Sequence, residues 1–185
     1  MRTFLLFSLV LHITVAWAQE NGLVPISEDR LLVPSPVETE IEIVDGDTLW
    51  MGIHEIRLHG IDAVEPKQPC IMTGFPKTFC HTTASNLLRD FSKQEGFRCE
   101  IHIKDGESKP WTRYGRYIAT CYVGNIDVGQ DMVAKGWAYA DPNYGGIYLD
   151  DQEKAKNQKL GMHVFDHLEP WVWRKKQRGD RCSCE

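Results

Sequence analysis

The run from Asp45 to Glu65 constrains the fold of this 185-residue chain more than any other stretch. It reads Asp-Gly-Asp-Thr-Leu-Trp-Met-Gly-Ile-His-Glu-Ile-Arg-Leu-His-Gly-Ile-Asp-Ala-Val-Glu. Turn signals at Asp45-Gly46-Asp47 and Trp50-Met51-Gly52 divide it into two or three short strands, and Ile53 to Ile61 alternates with a strand's period of two. Ile56 and Leu58 then share one face, and Arg57 points to the other. Asp47 precedes this strand, while Asp62 and Glu65 follow its end at Gly60-Ile61. Three carboxylates and a guanidinium converging from strand ends suit a site that holds a hard cation beside a phosphate.

The rest of the chain supplies further strands and helices. Glu38 to Val44 and Leu49 to Met51 are strand candidates that complete a meander with Ile53 to Ile61. Glu65 to Phe79 is a loop, because Pro66, Pro69 and Pro76 forbid regular structure through most of it. His81 to Gln94 fits an amphipathic helix with Ala84, Leu87, Leu88 and Phe91 on one side. Phe97 to Ile103 and Arg116 to Val123 read as strands flanking a polar loop, Asp105 to Gly115. Helices from Val128 to Lys135 and from Ile147 to Leu160 stop at Gly136 and Gly161, where a left-handed residue is cheap. This is an α+β pattern, mainly β, with five strands and about three helices, compatible with an OB-type barrel.

The ends have a different character. Residues 1 to 18 carry one positive charge, an apolar core and an Ala-x-Ala end, the pattern of a secretory signal peptide cut after Ala18. Residues 19 to 38, with Pro25, Pro34 and Pro36, read as a flexible linker ahead of a domain spanning 39 to 173. Residues 174 to 185 form a basic, cysteine-containing tail, for which solvation is the ordinary expectation and contact with nucleic acid the alternative, and the Trp171 and Trp173 pair ahead of it is expected to pack this segment back onto the barrel.

Charge excludes one class of function. The chain carries 21 Lys+Arg against 26 Asp+Glu, a net of −5, and loss of Arg2 with the signal peptide makes it −6. Such a far field repels phosphate and argues against a histone-like or architectural role, but not against a cleft made locally positive. Six cysteines in an exported chain favour disulfides over zinc, since no Cys-x-x-Cys or paired-His spacing is present. Cys99 and Cys121 fall on the two arms of a hairpin, so cross-strand pairing is plausible. Cys70 and Cys80 bracket a loop whose closure is worth on the order of 2–3 kcal/mol. Cys182 and Cys184 are too close together for an easy internal bond.

Val-Asp-Gly-Asp-Thr-Leu, then Ile-Arg-Leu-His-Gly-Ile-Asp-Ala-x-Glu, resembles the staphylococcal nuclease family, and Arg113-Tyr114-Gly115-Arg116 is similar to that family's second arginine motif. The resemblance covers roughly Glu40 to Trp173. It implies an OB-type barrel and a calcium-dependent nuclease that hydrolyses DNA and RNA, favours single-stranded or unpaired substrate, and leaves 3′-phosphate ends. Asp47, Asp62 and the main-chain carbonyl of Ala63 would hold Ca2+, with Asp45 behind them. Arg57 and Arg116 would grip the scissile phosphate, and Glu65 would orient or deprotonate the attacking water. Tyr114 would contact another phosphate, and Tyr144 would stack on a base. A secreted or periplasmic monomer, free of the membrane after signal cleavage, is the expected form. A barrel that binds oligonucleotides or a protein with little catalysis is the alternative.

Each residue also has a plainer reading. Asp-Gly-Asp is often only a turn, Arg57 could pair with Glu55, Arg116 could pair with Glu100 or Asp105, and His59 is more readily structural than a ligand. Two departures from the family pattern bear on rate. Val64 rather than proline precedes Glu65 while Pro66 follows it, which restricts the glutamate's backbone differently, and Thr112 stands where an acidic residue is common.

Overall fold

The computed structural model describes residues 18, 22–27, 29–33, 40–72, 80–104 and 110–179. The expected signal peptide lies outside the described residues apart from Ala18, as do Cys182 and Cys184. Among the described residues, no helix is long and apolar enough to cross a membrane.

The five strands expected from the pattern form adjacent members of one sheet. They are β3 (Ile41–Ile43), β4 (Thr48–Met51), β5 (His54–Leu58), β7 (Phe97–His102) and β9 (Arg116–Val123). The β3–β4–β5 meander is antiparallel, β5 pairs in parallel with β9, and β9 pairs antiparallel with β7. Ile56, Leu58 and Ile101 are among the largest fully buried side chains, as the two-residue alternation requires. Burial of each such side chain is worth about 1.5–3 kcal/mol.

The architecture departs from a five-stranded barrel in three ways. The stretch read as a flexible linker contains a hairpin, β1 (Val24–Ser27) and β2 (Arg30–Val33), and β2 extends the sheet beside β7. Leu31 and Val33 bury themselves in the core, so two inward side chains suffice for a strand whose neighbouring prolines obscure it. The run from Ile53 to Ile61 turns at His59-Gly60, and Ile61–Ala63 becomes a separate strand, β6, paired with β11 (Ala138–Ala140) in a two-stranded sheet. Short strands β8 (Thr112–Arg113) and β10 (Ile126–Asp127) also pair with β9, giving a nine-stranded main sheet.

Four α-helices are described rather than about three: α1 (Cys80–Ser92), α2 (Val128–Ala134), α3 (Leu149–Asn157) and α4 (Pro170–Gly179). The first buries Ala84, Leu88 and Phe91 against the sheet. The second is capped by Asp127, whose carboxylate accepts from the Gln130 amide at 3.1 Å. Helix α4 begins at Pro170, a residue preorganised for a first turn. The expected boundary between domain and tail, at 173/174, therefore falls inside a helix.

A smaller apolar cluster of Val64, Cys70, Cys80, Tyr139 and Met162 holds α4 in place, with Trp171 packed edge-on to Tyr139 at 5.4 Å. Two disulfides are formed. Cys99 and Cys121 face each other across β7 and β9, and Cys70–Cys80 ties the loop after β6 to the start of α1.

Candidate active site

The chain's turns bring Asp45, Arg57, Glu65, Tyr114 and Arg116 to the wall of one cleft, and Asp47 and Asp62 to the Arg57 guanidinium. Asp45 Oδ1 accepts from the Asp47 amide at 3.0 Å, a local turn that presents Asp47 at the head of β4. The Asp47 carbonyl accepts from the Leu58 amide at 2.8 Å, which sets Asp47 beside Arg57 on β5. Gly46 has no room for a side chain: a Cβ there would lie 2.7 Å from that of Ala63 and 2.8 Å from that of Ala84. The Asp-Gly-Asp motif is thus the point where β6 and α1 close against the turn.

Arg57 is the hub. Its Nη1 donates to Asp47 Oδ1, and its Nη2 lies 3.1 Å from Asp62 Oδ1 and 3.3 Å from the Ile61 carbonyl. Burial works against its charge, and the carboxylates of Asp47 and Asp62 more than offset that, raising its pKa above the ordinary value. Asp47 is buried too, and burial pushes its carboxyl up while Arg57, the Ala63 amide and the Thr48 hydroxyl act against the rise. The Ala63 amide donates to Asp47 Oδ2 at 2.8 Å, and Thr48 Oγ1 donates to Oδ1 at 2.9 Å. Ala63 thus meets Asp47 through its amide. Arg57 pairs across the cleft and not with Glu55.

Arg116 opens β9 and donates through Nη1 to Thr48 Oγ1 at 3.2 Å, so Thr48 joins the second arginine to Asp47. Glu100, its plainer candidate partner, is 3.3 Å from Arg98 instead. Tyr114 and Gly115 form the two-residue turn between β8 and β9, with φ of +56° and +86°. That turn leaves Tyr114 85% exposed at the cleft's edge. Tyr144 differs from expectation. It is 7% exposed, packed against His59 and Trp111 at ring separations of 4.8 and 5.3 Å, so its face is not offered to a base. His59, in turn, stacks on His102 at 4.2 Å, a structural role.

The sequence reading missed three contributors. Arg174 of α4 reaches into the cleft, where Nη1 lies 2.9 Å from Asp62 Oδ1 and 2.5 Å from Glu65 Oε1, and Nη2 lies 2.6 Å from Asp62 Oδ2. Its bonds to Asp62 lead in raising its pKa, partial burial opposes them, and its bond to Glu65 adds to the rise. Gln68, fully buried, accepts from the Glu65 amide at 3.2 Å and donates to the Leu168 carbonyl at 2.5 Å. Together with the reciprocal Ile71–Asp166 backbone pair, it fastens the loop bearing Glu65 to the segment leading into α4. Thr48 is the third. The available signal for α4 was the spacing of Trp171 and Arg174, one helical turn apart.

A hard divalent cation takes oxygen ligands, and the two buried carboxylates of Asp47 and Asp62 meet on a single guanidinium. Among the described residues, no group of three or more His, Cys, Asp or Glu side chains is arranged to hold a metal. All four oxygens of these two carboxylates already accept hydrogen bonds. The donor chemistry fits a cation held by few protein ligands, and that ion would share Asp62 with Arg57 and Arg174.

Comparison with known proteins relates the chain to one family. The family of staphylococcal nuclease homologues matches residues 55–163. The succinoglycan biosynthesis protein ExoI of Rhizobium meliloti is 28% identical over 130 residues, which cover 69% of this chain and 64% of that protein. An uncharacterized endonuclease of Haemophilus influenzae is 29% identical over 146 residues, 75% of this chain and 72% of its own length. An uncharacterized protein of Methanocaldococcus jannaschii is 22% identical over 211 aligned positions, covering 94% of this chain and 96% of that one. This chain thus spans just under two thirds of ExoI. With a family match running from β5 through the last residue but one of the final 3-10 turn, Gly161–Val164, the chain belongs to the family of staphylococcal nuclease homologues.

Proposed function

We propose that this protein is an exported calcium-dependent nuclease that hydrolyses phosphodiester bonds of DNA and RNA, favours single-stranded or unpaired substrate and leaves 3′-phosphate ends. The observation that carries the proposal is a cleft of about 530 Å3 lined by Arg57, Glu65 and Arg116, with the buried carboxylates of Asp47 and Asp62 bonded to the Arg57 guanidinium. The endonuclease name of the Haemophilus influenzae relative supports the reaction class, and the two disulfides suit an oxidising compartment, secreted or periplasmic.

Hydrolysis requires a deprotonated water, compensation of charge on the phosphoryl oxygens and an in-line leaving oxygen. Arg57 and Arg116 supply planar, permanently charged forks for those oxygens. Glu65 lines the cleft, where its carboxylate, once released from Arg174, would take the water's proton. A calcium ion bound beside Asp47 and Asp62 would add charge against a phosphoryl oxygen and lower the pKa of a bound water. Asp47 and Asp62 also fix Arg57, which keeps the guanidinium from swinging away before substrate arrives.

The test is cleavage of a single-stranded oligonucleotide by the purified mature protein. Cleavage that disappears with a calcium chelator, and in Glu65→Gln or Arg116→Ala, supports the proposal. Cleavage indifferent to the chelator or to both substitutions removes it. One observation favours a second reading, a barrel that binds oligonucleotides with weak catalysis: Arg174 occupies both Asp62 and Glu65. Tight binding without cleavage in calcium would select it.

A further inference from the structure

Helix α4 places two arginines on one face. Arg174 and Arg178 are four residues apart, and both line the cleft that holds Arg57 and Arg116. Beyond that cleft lies a second hollow of about 370 Å3, which shares Glu65, Arg174 and Arg178 with the first. Its own walls add Lys67 and Trp173, and none of Arg113, Tyr114 or Arg116. The two hollows therefore adjoin at Glu65, Arg174 and Arg178, with Arg116 on the wall of one and Lys67 on the wall of the other.

The charge along these hollows contrasts with the rest of the molecule. The chain as a whole carries −5, yet five arginines against three carboxylates, those of Asp45, Glu65 and Asp141, line the larger hollow. Arg174 is neutralised in place by Asp62 and Glu65. Arg178 and Lys67 are exposed, and Lys67 lies in a turn after Pro66 with a φ of +67°. Exposed cations beside an aromatic ring, continuous with a phosphate-gripping centre, are the arrangement that tracks a single-stranded backbone.

We infer that the α4 face bearing Arg178, with Lys67 opposite, is a second phosphate subsite, which takes the backbone phosphate of single-stranded nucleic acid next to the one held by Arg57 and Arg116. The inference rests on the phosphodiesterase reading given above. It makes α4 a determinant of substrate length: a dinucleotide, with one internal phosphate, reaches only the first subsite, while a longer strand reaches both.

The experiment compares the mature protein with Arg178→Glu and Lys67→Glu, on a dinucleotide and on an oligonucleotide of about eight residues. The expected result is a roughly ten-fold drop in the ratio of kcat/KM for the oligonucleotide to that for the dinucleotide. The salt dependence of oligonucleotide binding should also become shallower by about one unit of slope per lost contact. An unchanged ratio in both variants overturns the inference while leaving the nuclease reading intact. A second arm measures anisotropy of the same labelled oligonucleotide with a calcium chelator present. If wild type binds and Arg178→Glu weakens that binding while no condition gives cleavage, the subsite stands and the nuclease reading falls. Equal binding by both proteins overturns the subsite whatever the activity.

Discussion

Arg174 and Asp62, separated by 112 residues, form a two-pronged pair in which Nη1 lies 2.9 Å from Oδ1 and Nη2 lies 2.6 Å from Oδ2. Asp62 is almost wholly buried, so its charge rests on this guanidinium and on Arg57. A divalent cation needs the same oxygens. Arg174→Gln should therefore lower stability without calcium by about 1 kcal/mol, the modest figure reflecting the partial exposure of Arg174. The same variant should bind calcium more tightly, because a competing charge is gone. Thermal unfolding with and without calcium checks both: the calcium-induced rise in Tm should be larger in Arg174→Gln than in wild type. An equal rise would mean that Arg174 and the ion do not compete.

Gly46 makes a separate prediction, because its constraint is steric. A methyl group there would press on Ala63 and Ala84, at 2.7 and 2.8 Å. Gly46→Ala should destabilise the protein by about 1–3 kcal/mol through overpacking. It should also shift Asp47 relative to Arg57, so nuclease activity at saturating calcium should fall by at least ten-fold even where the protein is folded. Urea midpoints and initial cleavage rates separate the two effects.

The central cleft was legible because its residues sit in short, punctuated stretches where local rules govern. Asp47, Arg57 and Asp62 lie at turns and strand positions whose period fixes their direction. The parts that escaped are those governed by distant packing. Leu31 and Val33 form a strand only because β7 offers an edge beside Cys99 and Ile101. The tryptophans signal that the C-terminal segment packs back, but helix α4 has few apolar residues, and the cluster on which Trp171 docks is assembled from β11, the Cys70 loop and Met162. Nothing local distinguishes Arg174, which finds Asp62, from Lys175, which remains exposed. Tyr144 was misplaced for a similar reason, since its partners His59 and Trp111 are distant from it in sequence and meet it only through packing.

The two disulfides should differ in consequence. Cys99–Cys121 joins paired strands in the core, and Cys70–Cys80 anchors the loop that leads back to Glu65. Chain-entropy reasoning assigns each about 3 kcal/mol of stability. Cys99→Ala with Cys121→Ala should thus lower Tm with little change in kcat. Cys70→Ala with Cys80→Ala should lower Tm and also reduce kcat, because Glu65 is held by the same loop through Gln68. Peptide mapping without reduction should recover these two pairs, and a Cys70–Cys121 peptide would contradict the assignment.

Acid should weaken the fold through its buried imidazoles. Burial, aided by His59 beside it, pushes His102 down to about 3, and burial with His167 pushes His163 down to about 4. His59 is also lowered by burial. Arg30 opposes protonation of the His59–His102 stack, while Asp29, Asp127 and Asp141 favour it without prevailing. In the unfolded chain each imidazole takes up a proton near pH 6.5. Between that pH and the folded value, the unfolded state binds more protons, so stability falls as pH falls, by up to about 1.4 kcal/mol per unit for each His. The raised carboxyl of Asp47 acts in the opposite direction in the carboxylate range. His102→Gln isolates the imidazole term, since Gln can keep a bond like the 2.8 Å contact between His102 and Thr120. Wild type should lose about 1–2 kcal/mol more than His102→Gln on going from about pH 7 to about pH 5, measured as the shift in urea-unfolding free energy. Parallel losses in the two proteins would show that His102 takes up its proton in the folded state.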